Sequence, residues 1–239
     1  MRDLPPPLPP AQRTVGQLIG ETIRAYGDNF WRALPRGLAR AAVDQARVRQ
    51  SVGVTVLIFL AGAPLLVAAY VRACAVILDA RVTKAAVVTA FVVYVPFPVL
   101  NAVFILPGLA WFAFFGLAVP AALAEGLRVR EALIRGRALG TADFAHAFGS
   151  MCALVLVVGV AEITLARLLD SQGNSSQRVA LFLSDLVLSP LLYLGGAMLY
   201  VDQAARVGSR RPDRRRHDAH LHPPLDPDLA GRADAEGKP

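Results

Sequence analysis

Three ionisable residues stand inside otherwise apolar stretches of this chain. Glu162 and Arg167 lie between Met151 and Leu169, and Asp185 lies between Val179 and Val201. A charge near mid-bilayer costs roughly 2.5–3.5 kcal/mol on insertion scales, so such residues either move a proton, ion or polar substrate or lock helices together. If the two stretches form an antiparallel hairpin about the polar loop at 170–178, Arg167 comes within about one turn of the level of Asp185, and Glu162 sits deeper. Two chemistries fit that arrangement. One is a proton or ion relay, or a polar substrate site, using all three residues. The other is an ion pair fixing the last two helices, with Glu162 protonated or bonded to a neighbour.

A second group stands where an apolar run gives way to charge: Glu125, Arg128 and Arg135, with Arg130 and Arg137 beside them. Glu125 could serve catalysis at a membrane exit, but pairing with a nearby arginine such as Arg128 is the stronger expectation. Glu131 and Arg135 also have the favourable i, i+4 order. His146 stands alone on this connector. His217, His220 and His222 could together hold a divalent metal, although a solvated tail is the better reading of that segment. Asn101, in an apolar arm, suits an interhelical hydrogen bond. Cys74 and Cys152 lie in apolar surroundings without CxxC spacing and read as small buried hydrophobes, implying neither disulfide nor zinc. No HExxH, GxSxG, P-loop or dinucleotide fingerprint is present. No catalytic set, cofactor or metal site is therefore expected.

The elements that must position these residues are helices in a bilayer. Of the 239 residues 55% are apolar and only 18% charged, with the charges absent in blocks. Soluble domains carry about 25% charged residues, so this deficit is the pattern of lipid-facing spans. The formal charge of +7 is almost all arginine. A pI near 10.1 would suit nucleic acid. In a membrane protein, arginines instead gather beside the cytoplasmic leaflet, so no nucleic-acid partner is expected and membrane lipids are. The arginine-, alanine- and proline-rich composition points to a GC-rich bacterium.

Residues 1–13 read as a disordered, proline-rich leader without the apolar stretch of a signal peptide. Thr14 and Gln17 form a capping box for an amphipathic helix whose Val15, Leu18, Ile19, Thr22 and Tyr26 share a face, predicting a helix on the membrane surface that ends at Gly27. Five spans follow from hydropathy: 53–71, 85–106, 108–124, 151–169 and 179–201. The uncharged run from Ala85 to Ala124 would measure about 60 Å as one helix, twice the hydrocarbon thickness, so it must fold back, with Pro107-Gly108 as the break. Pro96 and Pro98 should kink its first arm. Asp28 to Gln50 is harder to assign. Arg32, Arg36 and Arg40 recur at i, i+4 and i+8, too costly for a lipid-exposed span, so the segment is either an in-plane helix or a degenerate first span sheltered by neighbours.

Charge asymmetry bears on that choice. The basic tail from Arg206, the connector at 125–150 and the loop at 72–84 all fall on one side, the cytoplasmic one, if the five spans cross. The N-terminal arginines join them only if Asp28–Gln50 crosses as well, which favours six helices with both ends inside. The domain plan is then a leader at 1–13, a helical integral membrane domain at 14–205, and a disordered basic cytoplasmic tail at 206–239.

Several short segments carry a resemblance. Gly16-Gln17-Leu18-Ile19 and Tyr26-Gly27-Asp28-Asn29-Phe30 occupy the first helix. Leu106-Pro107-Gly108-Leu109 opens a span, and Val119-Pro120-Ala121-Ala122 runs into Glu125-Gly126-Leu127. Ala132-Leu133-Ile134-Arg135-Gly136-Arg137-Ala138-Leu139 follows. Together, over roughly 14–205, they resemble the bacterial glycerophosphoryl diester phosphodiesterase membrane domain family and related uncharacterised six-helix membrane proteins. The resemblance implies the membrane part without the phosphodiesterase barrel, and hence without its metal ligands. The expectation is an all-α, multi-pass protein of a bacterial cytoplasmic (inner) membrane, non-enzymatic, acting as a scaffold or accessory factor. The alternative is a small transporter or lipid-handling protein that uses Glu162, Arg167 and Asp185.

Overall fold

The computed structural model describes residues 9–103, 105–168 and 174–221. Among them every regular element is helical. Four helices are long and apolar enough to cross a bilayer: Val52–Ile77, Leu106–Ala124, Phe144–Leu165 and Arg178–Ser209, with a shorter apolar helix at Lys84–Leu100. Large apolar side chains stay exposed along them, among them Leu57, Leu65, Leu156, Ile163 and Val179. Such a surface is a liability in water and the natural one in hydrocarbon. The chain is an all-helical membrane protein.

Helix α1 (Val15–Asp28) starts on the capping box expected from sequence, with Thr14 accepting from Gln17 N–H while the Gln17 side chain accepts from Thr14 N–H. Asn29 interrupts the helix, and α2 (Phe30–Arg47) follows. Helix α3 (Val52–Ile77) is longer than the 53–71 span read from hydropathy, and it closes on Asp79 in the left-handed region (φ 46°) with Ala80 N–H bonded back to Ala75 O. Helices α4 (Lys84–Tyr94) and α5 (Phe97–Val103) are separated at Pro96, the kink that proline chemistry predicts: the ring removes a donor and crowds the preceding turn. For that reason the expected span 85–106 is found as a shorter apolar helix. Helix α6 (Ile105–Phe115) carries Pro107 in its first turn, where the missing N–H costs nothing, so the break falls just before Pro107-Gly108. Trp111 N–H donates to Val93 O at 2.9 Å and closes the hairpin.

Helix α7 (Ala118–Ala124) continues the crossing after an interruption at Gly116-Leu117, and α8 (Val129–Ala142) runs back alongside it, with Gly136 on Ala118 and Gly140 on Ala113. The connector pattern looks two-sided in sequence, yet α8 buries one face, Ala132, Gly136, Leu139 and Gly140. A Cβ on Gly136 would meet the Ala118 backbone N at 2.5 Å, so only glycine allows this approach. Helices α9 (Phe144–Leu168) and α10 (Asn174–Leu221) complete the chain. Helix α10 runs on past 206, where the tail was expected to begin.

Registers follow from single contacts. Helix α9 is antiparallel to α10, with Arg206 on Asp143 at 3.2 Å at one end and a notional Cβ of Gly195 meeting Leu154 Cδ1 further along. Helix α2 is antiparallel to α10 too, since Gly37 lies on Leu186 and Gln45 donates to Arg178 O at 2.9 Å. Helix α1 extends the same track: Tyr26 O–H donates to Val187 O at 2.7 Å, and Arg13 bridges Asp202 at 3.2 Å. Helix α3 then returns along α2, with Gly62 on Val43 and Arg47 over the Phe59 ring. The core these contacts enclose is alanine-rich, with Ala73, Ala86, Ala90, Ala118, Ala122 and Ala197 packed around Tyr70 and Val67. Small residues bring helix backbones close, which is how packing gains dispersion energy where lipid removes the hydrophobic drive.

Candidate functional site

Two of the three ionisable residues noted within apolar stretches, Glu162 and Asp185, lie beside α2, the segment whose crossing the sequence leaves open. Four residues per repeat overshoot the 3.6-residue turn, so the arginine row on α2 drifts about 40° per step. Arg32 and Arg36 face α3, and Arg40 has turned into the bundle. There it pairs with Asp44, one turn on, and Asp44 also accepts from Arg47 Nε at 2.5 Å. Asp44 is buried, as is Asp185 on α10, and the two carboxyl groups lie within electrostatic reach of each other. Glu162, half-buried on α9, lies within the field of Arg40, Asp44 and Arg47.

Glu162 and Asp185 thus lie within electrostatic reach of each other, and the cation in range of both is Arg40. Arg167 is exposed near the end of α9, and among the described residues no ion pair joins it to Asp185. The hairpin register puts Asp185 across from Thr164, and α2 occupies the side of α10 that Asp185 faces. Arg40, Asp44 and Arg47 were missed because the segment was weighed only for the cost of its arginines. The signal was present: Arg40–Asp44 at i, i+4 and Asp44–Arg47 at i, i+3 neutralise much of that cost on one helix.

Arg40 also forms part of the wall of a cavity of about 100 Å³, lined otherwise by Tyr70, Tyr94, Phe97, Phe112 and Tyr193 among apolar neighbours. That is several times the roughly 10–15 Å³ that one water occupies by this measure. The rings brace one another, with Tyr94 edge-on to Phe112 at 5.3 Å and Tyr70 edge-on to Phe112 at 5.9 Å. Tyr70 is fixed by its hydroxyl, which donates to Gly116 O at 3.0 Å, the carbonyl freed where α6 breaks. Tyr94 and Tyr193 feel the charge of Arg40. The chamber therefore has an aromatic body and one cationic corner, and the acidic groups stand behind that corner.

The interface motif resolves differently from expectation. Glu125 is bound by Arg135, whose Nε lies 2.9 and 3.0 Å from its two oxygens, and Tyr200 O–H donates to it at 2.9 Å. Arg128 is not its partner. Its N–H instead bonds Glu131 at 3.1 Å and starts α8, which removes Glu131 from the i, i+4 pairing with Arg135. Folding Gly126 into the left-handed region (φ 65°) turns the chain so that α8 carries Arg135 back over Glu125. His146 is not isolated either. Its Nε2 lies 3.9 Å from Asp202 and 3.4 Å from Arg206, in a group with Asp143 and Arg13 that ties the start of α1 to α9 and α10. Cys74 is buried and Cys152 half-buried, both as free thiols. The side chains of Asn101, His217, His220 and His222 lie outside the described residues. Among the described residues no three His, Cys, Asp or Glu side chains gather to hold a metal ion.

No protein-family model matches the chain, and no curated protein or solved structure shows significant similarity to it.

Proposed function

We propose that this is a non-enzymatic, lipid-handling membrane protein that binds a small amphiphile in the aromatic chamber, with the acidic end of the ligand against Arg40. The observation that carries the reading is the arginine at the wall of a mid-bundle cavity lined otherwise by aromatic and aliphatic side chains. Sustaining a charge there is costly unless it is used or fully paired, and ligand sites are apolar chambers with few, placed polar groups. Asp44 holds the guanidinium by a hydrogen-bonded ion pair, Asp185 and Glu162 lie within its field, and a bound carboxylate would compete with Asp44 for it. We propose further that the chain crosses a bacterial cytoplasmic membrane six times with both ends cytoplasmic, α1 and α2 forming a broken first crossing. Its support is the track of α1 and α2 along α10, from Asp202 to Arg178, together with the positive-inside distribution. The resemblance to phosphodiesterase-linked membrane domains enters this proposal only as an expectation of the same helical plan.

Native mass spectrometry of the full chain with added butyrate, a carboxylate short enough for a cavity of about 100 Å³, tests the ligand reading. The wild type should retain one butyrate, and Ala63→Leu, which narrows the cavity without touching a charge, should lose it. Equal retention by both would refute the assignment. The second reading, a scaffold or accessory factor, draws on the mutual neutralisation of Arg40, Arg47 and Asp44, which suits structural glue. E162Q and D185N separate the two. Lost ligand binding at normal abundance supports handling of a small molecule, and lost abundance supports glue.

A further inference from the structure

Where α2 and α3 lie side by side they leave a groove of about 480 Å³, lined by Arg32, Arg36 and Arg72 at one end and by Leu38, Leu65 and Ala68 among its apolar residues. Arg36 lies within electrostatic reach of both other arginines. Among the described residues no carboxylate pairs with any of the three, and Arg36 Nε is buried without a hydrogen-bond partner. Among the described residues other partly buried arginines have carboxylate partners: Arg40 pairs with Asp44, Arg206 with Asp143 and Arg135 with Glu125. Three unmatched like charges around one groove repel one another, and what is missing from the arrangement is an anion.

The depth of the groove says which anion. Arg72 is the first charge after the uncharged stretch of α3 that ends at Val71, so it marks the membrane surface on that side. The antiparallel register of α2 places Arg36 beside Ala69, about one turn deeper, and Arg32 level with Arg72. Beyond them Leu38, Leu65, Ala68 and Ala42 form an exposed apolar trough descending into the bilayer. Guanidinium forks match phosphate oxygens, and an apolar trough under them matches acyl chains. We infer that this groove is a specific site for an anionic phospholipid, its phosphate held by Arg32, Arg36 and Arg72 and its first acyl carbons on Leu65 and Ala68. The site is separate from the aromatic chamber, and its failure would leave that reading intact.

The full chain, purified in neutral detergent, is titrated with phosphatidylglycerol and with phosphatidylcholine under native mass spectrometry, and the dissociation constant of the first bound lipid is compared. Phosphatidylglycerol should bind at least about tenfold tighter, and each arginine removed should cost it about fivefold, near the value of one surface cation. R36Q tests the half-buried guanidinium. R32Q and R72Q change exposed side chains, so their folding is secure, and their combined loss should approach about 25-fold. Phosphatidylcholine binding should stay as in the wild type. Equal affinity for the two lipids would overturn the proposal, as would unchanged phosphatidylglycerol binding in the R32Q/R72Q double variant. Displacement of phosphatidylglycerol by millimolar inorganic phosphate would show a free-anion site instead, and would overturn it equally.

Discussion

Removing the Asp44 carboxylate tests whether α2 belongs inside the bundle. Asp44→Ala strips Arg40 and Arg47 of their shared acceptor. The Asp44 side chain is only 8% exposed and that of Arg40 is 28%, so their bond is worth about 1.5–3 kcal/mol as one between charged groups in a poorly solvated place. Arg47 is 40% exposed, and solvent screening holds its share to about 0–1 kcal/mol. The sum, about 1.5–4 kcal/mol, is about ten- to a thousandfold in the unfolding constant. The reverse case gives the control. Arg40→Met with Asp44→Leu removes both charges and fills the space, which usually recovers most of what breaking a buried pair costs. Equilibrium unfolding in mixed micelles, titrated with dodecyl sulfate and followed by circular dichroism, reads both variants. If D44A stays within about 0.5 kcal/mol of wild type, the cluster is solvated and α2 does not lie where these contacts put it. If the double variant is no better than D44A, the charges are not acting as a pair.

Gly37→Val should be among the most damaging single changes. Its side chain would overlap the backbone O, C and Cα of Leu186, which cannot turn aside as a flexible side chain can; a loss near 3 kcal/mol in thermal unfolding is expected, and an unchanged melting temperature would refute the α2–α10 contact. At the other end of the bundle, E125Q should cost about 1–2 kcal/mol and Tyr200→Phe about 1. The pair should be non-additive in a double-mutant cycle, since Tyr200 donates to Glu125. For topology, cysteines introduced at Gln50 and Ala11 in a C152S background should react differently with an impermeant maleimide applied from outside. Gln50→Cys should label and Ala11→Cys should be protected; protection of both, or labelling of both, would exclude six crossings with a cytoplasmic N-terminus.

Local chemistry was legible from the sequence alone. The Thr14–Gln17 cap, the break at Pro96, the reversal beside Pro107 and the apolar helices each depend on residues within one or two turns of one another, where rise, periodicity and missing donors decide the outcome. Glu162 and Asp185 were likewise conspicuous, because an ionisable group in an apolar run stands out whatever surrounds it. Their cation was not recoverable from hairpin geometry. Arg167 is near Asp185 in level, yet level along a helix says nothing of azimuth, and Arg40 reaches the acids from a helix more than a hundred residues earlier in the chain. The same limit explains Glu125: Arg128 is close in sequence, but a turn at Gly126 and the close seat of Gly136 on Ala118 bring Arg135 onto it instead. Sequence determined the helical, membrane-embedded character of the chain and which acids stand within its spans. Tertiary packing decided which cation meets them, because partner choice depends on which helix faces are pressed together, and no local period encodes that.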